Sequence, residues 1–204
     1  DMEGNIRSAD FAGSTKVGTA ALITAYDAVK AGSLNNVLAC ASDSRTGKPG
    51  SGDEQNYGDA STAFLIGNEG VIAEIKGSFS VSYDFMGHWE GDTDSYGHCW
   101  EARWITDEVY NPQLIEAAKG ALKQCGVEID GVSKVIIPSI NARAAKIVAK
   151  KLKLADEQVQ TPVFDMVGDC GNAQSTLMLA AALDEAKPGD KILVLSYGNG
   201  ADAI

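Results

Sequence analysis

The chain has 204 residues, of which 45% are hydrophobic and 22% are charged, so it is long enough for one globular domain with a substantial core. Its formal net charge of −11 argues against a nucleic-acid partner and against a polybasic membrane-surface role, because both need a basic face. No apolar run approaches the roughly 18 residues of a membrane span, and the N-terminus does not resemble a signal peptide. We therefore expect a cytoplasmic protein.

The cysteines stand far apart, at Cys40, Cys99, Cys125 and Cys170. They form no CxxC pair and have no neighbouring pair of histidines, which is not the spacing of a zinc site. We predict no metal site. Because a chain without a secretory signal remains in the reducing cytosol, we predict four free thiols.

The first part of the chain predicts a helix and then strands. Apolar residues recur at helical spacing over residues 16–30, and Gly32 ends the helix. Residues 37–41 are a short, continuous apolar run, which is typical of a strand buried on both faces. A polar, Gly-rich loop at 44–58 precedes two further predicted strands, at 63–66 and 71–83.

The second part opens with an irregular stretch, residues 85–104, which holds all three Trp and both His residues. Asn111 and Pro112 then predict a helix start, with Asn as N-cap and Pro at the first helical position. The remaining predicted elements are a buried strand at 135–137, a helix at 142–152, a small-residue helix at 177–186 ended by Pro188 and Gly189, and a buried strand at 192–195.

Helices therefore alternate with short apolar strands, which favours an α/β layered fold. Residues 19–42 and 175–196 share one order: a small residue, an Ala-rich helix, a Lys-x-Gly stop and a strand that ends in Ser. This echo has two interpretations, a duplicated unit or two unrelated helix–strand units.

Two turns near the C-terminus are candidate binding elements. Residues 168–171 precede a helix whose free N–H groups can hold an anion or polarise a carbonyl, or they form only a tight turn. Residues 197–200, Tyr-Gly-Asn-Gly, follow the last predicted strand and are either a turn or a loop of backbone donors.

Several segments carry short motifs that occur in a fixed order. They include Gly-Thr-Ala-Ala-Leu within residues 11–22, Gly-Asp-Ala-Ser-Thr-Ala within 58–67 and Gly-Asp-Cys-Gly within 168–175. The other segments are residues 84–85, 101–103, 135–141 and 187–203. Together they resemble the thiolase superfamily, in the branch of hydroxymethylglutaryl-CoA (HMG-CoA) synthase and 3-ketoacyl-ACP synthase III. The resemblance implies a layered α/β/α/β/α sandwich that is built by duplication and is usually dimeric.

The resemblance also implies a chemistry. In that family a Cys at a helix N-terminus has a lowered pKa and accepts an acyl group from a CoA thioester. A His and an Asn, or two His, handle the enolate and the proton. Backbone N–H groups near the Cys and in the Gly-x-Gly loop stabilise the oxyanion.

This sequence departs from the family at all three catalytic positions. The nucleophile position is Thr15, or Gly13 in a register anchored on Phe11, and neither is Cys. The His position is Pro138, and the Asn position is Asp169. Ordinary Claisen condensation is therefore not expected.

The extent of the resemblance implies an incomplete sandwich whose N-terminal part is missing, so that residues 1–204 form roughly the C-terminal two-thirds of a thiolase-like domain. Residues 1–125 correspond to the end of the first half plus an insertion, and residues 126–204 to the second half. Such a piece is either a fragment or part of a split protein. It leaves apolar faces and sheet edges that need a partner, so we expect a homo- or hetero-oligomer.

Four residues are candidate substrate-binding groups: Cys170, Gly198, Asn199 and His88. Cys170 is either a reactive thiolate at a helix N-terminus or a buried inert thiol. His88 and His98 either bind a ligand or a metal, together with Asp92 or Asp94, or belong to a solvated, aromatic-packed loop. The three Trp residues either line an acyl or partner pocket or fill the core. We interpret Asp43, Asp53 and Glu54 as a solvated acidic loop.

Our leading hypothesis is a non-catalytic, HMG-CoA synthase-like subunit that handles acyl-CoA beside an active thiolase-type partner or an OB-fold/zinc-ribbon protein. The alternative is an acyltransferase or condensing enzyme that uses non-standard residues, such as Cys170 or a loop His. Plain binding of a CoA thioester is a third possibility. No cofactor is expected beyond the CoA thioester itself.

Overall fold

A computed structural model describes residues 6–141 and 143–204. The N-terminal residues inspected for a signal peptide, and the first residue of the helix predicted at 142–152, lie outside the described residues. The helices are α1 (Val17–Lys30), α2 (Gly52–Asn56), α3 (Ala102–Trp104), α4 (Asn111–Cys125), α5 (Ala144–Leu152), α6 (Phe164–Val167) and α7 (Gln174–Glu185). The strands are β1 (Asn36–Asp43), β2 (Ala60–Gly67), β3 (Phe79–Ser82), β4 (His88–Trp89), β5 (His98–Cys99), β6 (Lys134–Ile136), β7 (Ile192–Tyr197) and β8 (Gly200–Ala203).

These elements stack in four layers. The antiparallel pair β1–β2 forms the first layer, and α1 and α7 form the second. The four-stranded sheet β3-β8-β7-β6 is the third, and α4 and α5 cover its far face. This α/β layering agrees with the incomplete sandwich that the sequence predicts.

The four-stranded sheet is buried on both faces because its strands place apolar side chains alternately to either side. In β7, Leu193 and Leu195 point to the α4–α5 layer, and Val194 points to α7. In β6, Val135 and Ile136 divide in the same way. β6 pairs with β7 in parallel, and β7, β8 and β3 are antiparallel neighbours.

The central layer brings the two echoing segments together. Leu22 and Ala25 of α1 pack with Ala39 of β1, and Leu179 of α7 joins the same cluster. Each segment is a helix followed by a strand, as predicted. The strands go to different sheets, β1 to the two-stranded pair and β7 to the middle of the four-stranded sheet.

β1 is not buried on both faces, contrary to the prediction from its apolar run. Leu38 is 56% exposed, and its cross-strand neighbour Leu65 is 71% exposed. Cys40, on the same outer face, is exposed as well. The reason is that no layer of the described residues covers this face of β1–β2.

Of the strand predicted at 71–83, only β3 is present in the structure. Only Phe79–Ser82 pairs with another strand, the four residues of β8. The preceding residues have no strand partner among the described residues, and Val71 and Ile72 point into solvent. An apolar run without a hydrogen-bonding neighbour does not form a strand.

The helix predicted to begin at Asn111 begins earlier. α3 continues through a π-helical turn, Ile105–Tyr110, directly into α4. Glu101 caps this continuous helix by accepting hydrogen bonds from the backbone N–H groups of Arg103 and Trp104. Asn111 is therefore an internal helical residue, fully buried, and not an N-cap.

The other predicted helices and strands are present with ends shifted by a few residues, and Tyr197-Gly198-Asn199-Gly200 is the turn between β7 and β8. Within the described ranges no helix is long and apolar enough to cross a membrane. The four-stranded sheet takes β3 from before residue 125 and its other three strands from after it.

Candidate functional site

A cavity of about 570 Å³ opens where the carboxyl ends of β1, β6 and β7 meet the amino ends of α1 and α7. Ligands of layered α/β proteins bind at such places, because strand ends and helix N-termini present free backbone groups there. The cavity is the natural candidate for a functional site.

The cavity collects almost every residue that the sequence singled out. Thr15 and Gly13, Pro138 and Asp169 all line it, although up to 156 residues separate Gly13 from Asp169 in the chain. The predicted binding residues His88, Gly198 and Asn199 line it too. Cys170 is not among the lining residues.

Thr15, one of the two residues that the family resemblance offers for the nucleophile position, lies just before α1. Its hydroxyl donates a hydrogen bond to the backbone carbonyl of Tyr197, at 2.8 Å. The neighbouring Ser14 hydroxyl donates to the carbonyl of Gly198, at 2.7 Å. Both hydroxyl protons are thus held by carbonyl oxygens of the β7–β8 turn, and neither is shared with a side-chain base among the described residues.

The β7–β8 turn lies against this segment so closely that residue 198 has to be glycine. A Cβ at Gly198 would stand 2.6 Å from the side-chain oxygens of Ser14 and Thr15, and 2.8 Å from the backbone nitrogen of Lys16. The absence of a side chain therefore allows the two parts of the cavity wall to touch.

A buried ion pair lies behind the same wall. Lys16 Nζ donates to Asp202 Oδ1 at 2.9 Å, and the Asp202 side chain is almost fully buried. The Thr19 hydroxyl lies 3.0 Å from the other oxygen of Asp202. These contacts fix the start of α1 to β8, so the position of Thr15 is set by the last strand.

Pro138, which the family resemblance places at the His position, offers only a backbone carbonyl and an apolar ring. The buried Tyr110 hydroxyl donates to its carbonyl oxygen. The side-chain amide of Gln174 then pairs with both backbone groups of Ser139, accepting from the nitrogen at 3.0 Å and donating to the oxygen at 3.1 Å. These hydrogen bonds hold the wall in place, and Pro138 itself has no group that transfers a proton.

Asp169, which the family resemblance places at the Asn position, is engaged in an ion pair. Its carboxylate accepts from Arg45 Nη1 at 2.6 Å, and both side chains are 10% exposed. Its other oxygen accepts from the Gly171 nitrogen at 3.0 Å. The Arg45 guanidinium also lies over the Tyr57 ring, 3.7 Å from its centroid, which is a cation–π contact.

The sequence interpretation missed Arg45 and misassigned Asp43. Asp43 is predicted in a solvated acidic loop, and Arg45 falls in the polar loop predicted at 44–58. In the structure the Arg45 side chain is buried against Asp169, and Asp43 accepts a hydrogen bond from the Asn172 nitrogen at 2.9 Å. The available signal was position: both residues stand at the carboxyl end of β1, where α/β sheets place ligand-binding groups.

Cys170 is not a reactive thiol. Its side chain is fully buried, so a ligand in the cavity does not reach the sulfur. Burial, and next the nearby Asp169 carboxylate, raise the pKa of the Cys170 thiol to about 11. The thiol is protonated at neutral pH, which corrects its assignment as a substrate-binding residue and agrees with the interpretation as a buried inert thiol.

His88 and His98 differ in their surroundings. His88 lies 3.4 Å from the Tyr57 hydroxyl, and burial, followed by the charge of Arg45, lowers the pKa of its imidazole. His98 is exposed beside Asp94, at 3.3 Å, and stacks on Trp89. Within the described ranges, no three His, Cys, Asp or Glu side chains come together as a metal site.

The three tryptophans do not fill the core. Trp89, Trp100 and Trp104 are 37%, 53% and 44% exposed. Trp89 lines the cavity, and the other two line a smaller cleft beside it. The stretch 85–104 thus contributes walls to two adjacent openings.

Comparison with known proteins gives a consistent result. The family model described as "3-Oxoacyl-[acyl-carrier-protein (ACP)] synthase III C terminal" matches residues 122–203. Hydroxymethylglutaryl-CoA synthases from Methanopyrus kandleri and Caldivirga maquilingensis are 32% and 33% identical over 97% and 96% of this chain. In both cases the match spans 56% of the relative, so the chain covers little more than half of their length.

Solved structures agree on the fold. The crystal structure of 3-oxoacyl-[acyl-carrier-protein] synthase III from Aquifex aeolicus has a TM-score of 0.86 at 21% identity, over 98% of this chain and 67% of that one. An HMG-CoA synthase complexed with CoA has a TM-score of 0.79 at 20% identity, over 95% of this chain and 53% of that one.

Proposed function

We propose that this chain, which belongs to the thiolase superfamily in the branch of HMG-CoA synthase and 3-oxoacyl-[acyl-carrier-protein] synthase III, binds an acyl-CoA thioester without transferring its acyl group. It acts as a subunit beside an active thiolase-type partner. The CoA found in the related HMG-CoA synthase structure supports the choice of ligand.

The observation that carries this proposal is the state of Thr15. Its hydroxyl donates to the Tyr197 carbonyl, and a hydroxyl attacks a thioester only when a neighbouring base takes its proton. No side-chain base among residues 6–141 and 143–204 contacts the Thr15 oxygen. Thr15 is therefore a structural part of the cavity wall and not a nucleophile.

The other two catalytic positions support the same conclusion. Pro138 cannot take up or release a proton, and the Asp169 carboxylate is paired with Arg45. A carboxylate at the place of a neutral amide also repels a carbanion. At these three positions the cavity offers none of the groups that would perform condensation.

A partner accounts for the surface that the fold leaves open. The outer face of β1–β2 carries Leu38 and Leu65 in the open, and solvent-exposed apolar sheet faces are typical of interaction surfaces. A thiolase-type chain, or an OB-fold/zinc-ribbon protein, would supply the chemistry that Thr15, Pro138 and Asp169 do not.

The alternative function, an acyltransferase that uses other residues, has less support. Cys170 is buried and protonated. His88 lines the cavity as a neutral imidazole near neutral pH, but its contact is the Tyr57 hydroxyl and not a nucleophile.

The decisive experiment follows acyl adducts by intact mass spectrometry, with acetyl-CoA incubated with the wild-type chain and with Thr15→Cys. The variant places a thiol at the N-terminus of α1, where a thiolate is favoured. We expect no adduct on the wild type and an acetyl group on the variant. An adduct on the wild type would contradict the proposal, as would the absence of CoA binding, measured by calorimetry, in both proteins.

The partner is tested separately. The chain is co-expressed with the thiolase-type and OB-fold/zinc-ribbon proteins of its own source, and a stable complex is sought by size-exclusion chromatography. Leu38→Asp places a charge on the outer face of β1 and is expected to weaken the complex. Condensing activity of the wild-type chain alone would remove the need for a partner.

A further inference from the structure

A second cleft, of about 360 Å³, lies beside the main cavity and has a purely apolar exposed lining. Phe85, Trp100, Glu101 and Trp104 form its walls. Trp100 and Trp104 are about half exposed there. A cluster of aromatic rings that is neither buried nor polar is typical of a surface that receives a ligand.

The rings form one continuous row, which we name the aromatic row, from the cleft to the main cavity. Phe85 meets Trp104 edge-on, with centroids 5.1 Å apart, and Trp100 at 6.2 Å. Trp100 meets Trp89 at 5.6 Å, and Trp89 is itself a wall of the main cavity. A ligand in the main cavity can therefore extend along the row into the cleft.

The aromatic row is held in position by backbone contacts. Trp100 Nε1 donates to the Met86 carbonyl at 3.1 Å. Glu101 accepts from the backbone nitrogens of Arg103 and Trp104, at 2.9 and 2.7 Å, which fixes the turn that carries Trp104. Rings that are already in place lose little conformational entropy when a ligand binds.

The apolar walls decide which part of a thioester would enter the cleft. The exposed surface of the cleft is apolar, and the Glu101 carboxylate is turned to the backbone nitrogens of Arg103 and Trp104. The phosphates of CoA would lose their water in the cleft without gaining a polar partner. The neutral acyl end fits, and aromatic walls favour a ring through edge-on and offset contacts.

We propose that the aromatic row binds the acyl group of an aryl thioester, with its ring in the cleft of Phe85, Trp100 and Trp104. This inference rests on the proposed function, since the thioester itself occupies the main cavity. The preferred ligand is thus an acyl-CoA with an aromatic acyl group, and a small one such as acetyl-CoA binds more weakly.

The test compares phenylacetyl-CoA with acetyl-CoA by isothermal titration calorimetry on the full chain. We expect phenylacetyl-CoA to bind about tenfold more tightly, which corresponds to ~1.4 kcal/mol. Trp104→Ala should remove this preference and leave the affinity for acetyl-CoA unchanged. Phe85→Leu, which keeps the apolar volume but removes the ring, should reduce the preference.

A control is Ile72→Ala, which shortens a more exposed apolar side chain in the loop between β2 and β3, away from the cleft; both affinities should stay unchanged. Equal binding of the two thioesters by the wild type would overturn this inference alone and would leave the row as a surface for a protein partner. If neither thioester binds, the proposed function fails as well.

Discussion

The ion pair of Asp169 and Arg45 makes the most direct prediction about stability. Asp169→Asn removes the charge and keeps the shape of the side chain. It also restores the amide that the family resemblance places at this position. Because the Arg45 side chain is only 10% exposed, it would lose its charged partner in a place with little water. We expect the variant to fold and to be clearly less stable than the wild type.

The magnitude follows from the geometry. Two unit charges about 4 Å apart attract by about 4 kcal/mol at an effective dielectric constant of about 20. Part of this is offset, because the variant no longer buries a carboxylate and its amide oxygen still accepts hydrogen bonds. The expected loss in the free energy of unfolding is therefore about 2–3 kcal/mol.

Urea unfolding followed by circular dichroism measures this loss, since urea does not screen charges. With a slope of about 2 kcal/mol per molar urea, the midpoint should fall by about 1 M or more. The control is Glu74→Gln, which breaks an ion pair on the surface. The side chains of Glu74 and Lys76 are 68% and 70% exposed, and exposed pairs of this kind contribute about 0–1 kcal/mol to the free energy of unfolding. If Asp169→Asn shifts the midpoint no more than Glu74→Gln does, the argument from burial is wrong.

Three further predictions concern other parts of the cavity wall. The pKa of His88 is lowered from its usual 6.5 in the folded protein. Because the unfolded chain therefore binds more protons in acid than the folded chain does, the free energy of unfolding should decrease as the pH falls below about 6.5. Urea unfolding from pH 7 to 5 measures this decrease, and His88→Gln should reduce it. Gly198→Ala should lower the free energy of unfolding by about 1–3 kcal/mol through overpacking. The control is Gly97→Ala, whose new Cβ would have no neighbouring atom nearer than 3.9 Å and which should change the free energy of unfolding by no more than about 0.5 kcal/mol. Equal effects of the two variants would contradict the close contact of Gly198 with Ser14 and Thr15. Tyr110→Phe should lower the free energy of unfolding by about 1–3 kcal/mol, because it leaves the buried Pro138 carbonyl without its hydrogen-bond donor. Thermal unfolding measures this loss, and an unchanged melting temperature would show that water replaces the hydroxyl.

The spacing of apolar residues predicts the helices and strands of this chain well wherever that spacing alone decides the structure. α1 and α7 follow from helical spacing, and β7 follows from a short apolar run that is buried on both faces. The pattern fails where a distant segment decides the outcome. β1 has the same kind of apolar run as β7, and only the layers around it explain why one face of β1 stays open.

In the candidate site, too, the sequence predicts some residues, and distant segments decide the others. Thr15, Pro138 and Asp169 could be named from the order of motifs, and the structure places them in one cavity. For Arg45 the sequence offered only its place at the end of β1, because its partner Asp169 lies 124 residues further along the chain. The aromatic row was likewise undetermined, since a Trp in the sequence fits a core as well as a surface.

The ties between the start of α1 and the last strand have a consequence for how the protein forms. Ser14, Thr15 and Lys16 make hydrogen bonds with residues 182 to 186 positions later in the chain. Contacts of such sequence separation form slowly, because the intervening chain has to be ordered first. Thr15 is synthesised before residues 197–202, so its hydrogen bonds form only after that later segment has been made. The contact between the start of α1 and the β7–β8 turn therefore depends on long-range pairing and does not arise from local structure alone.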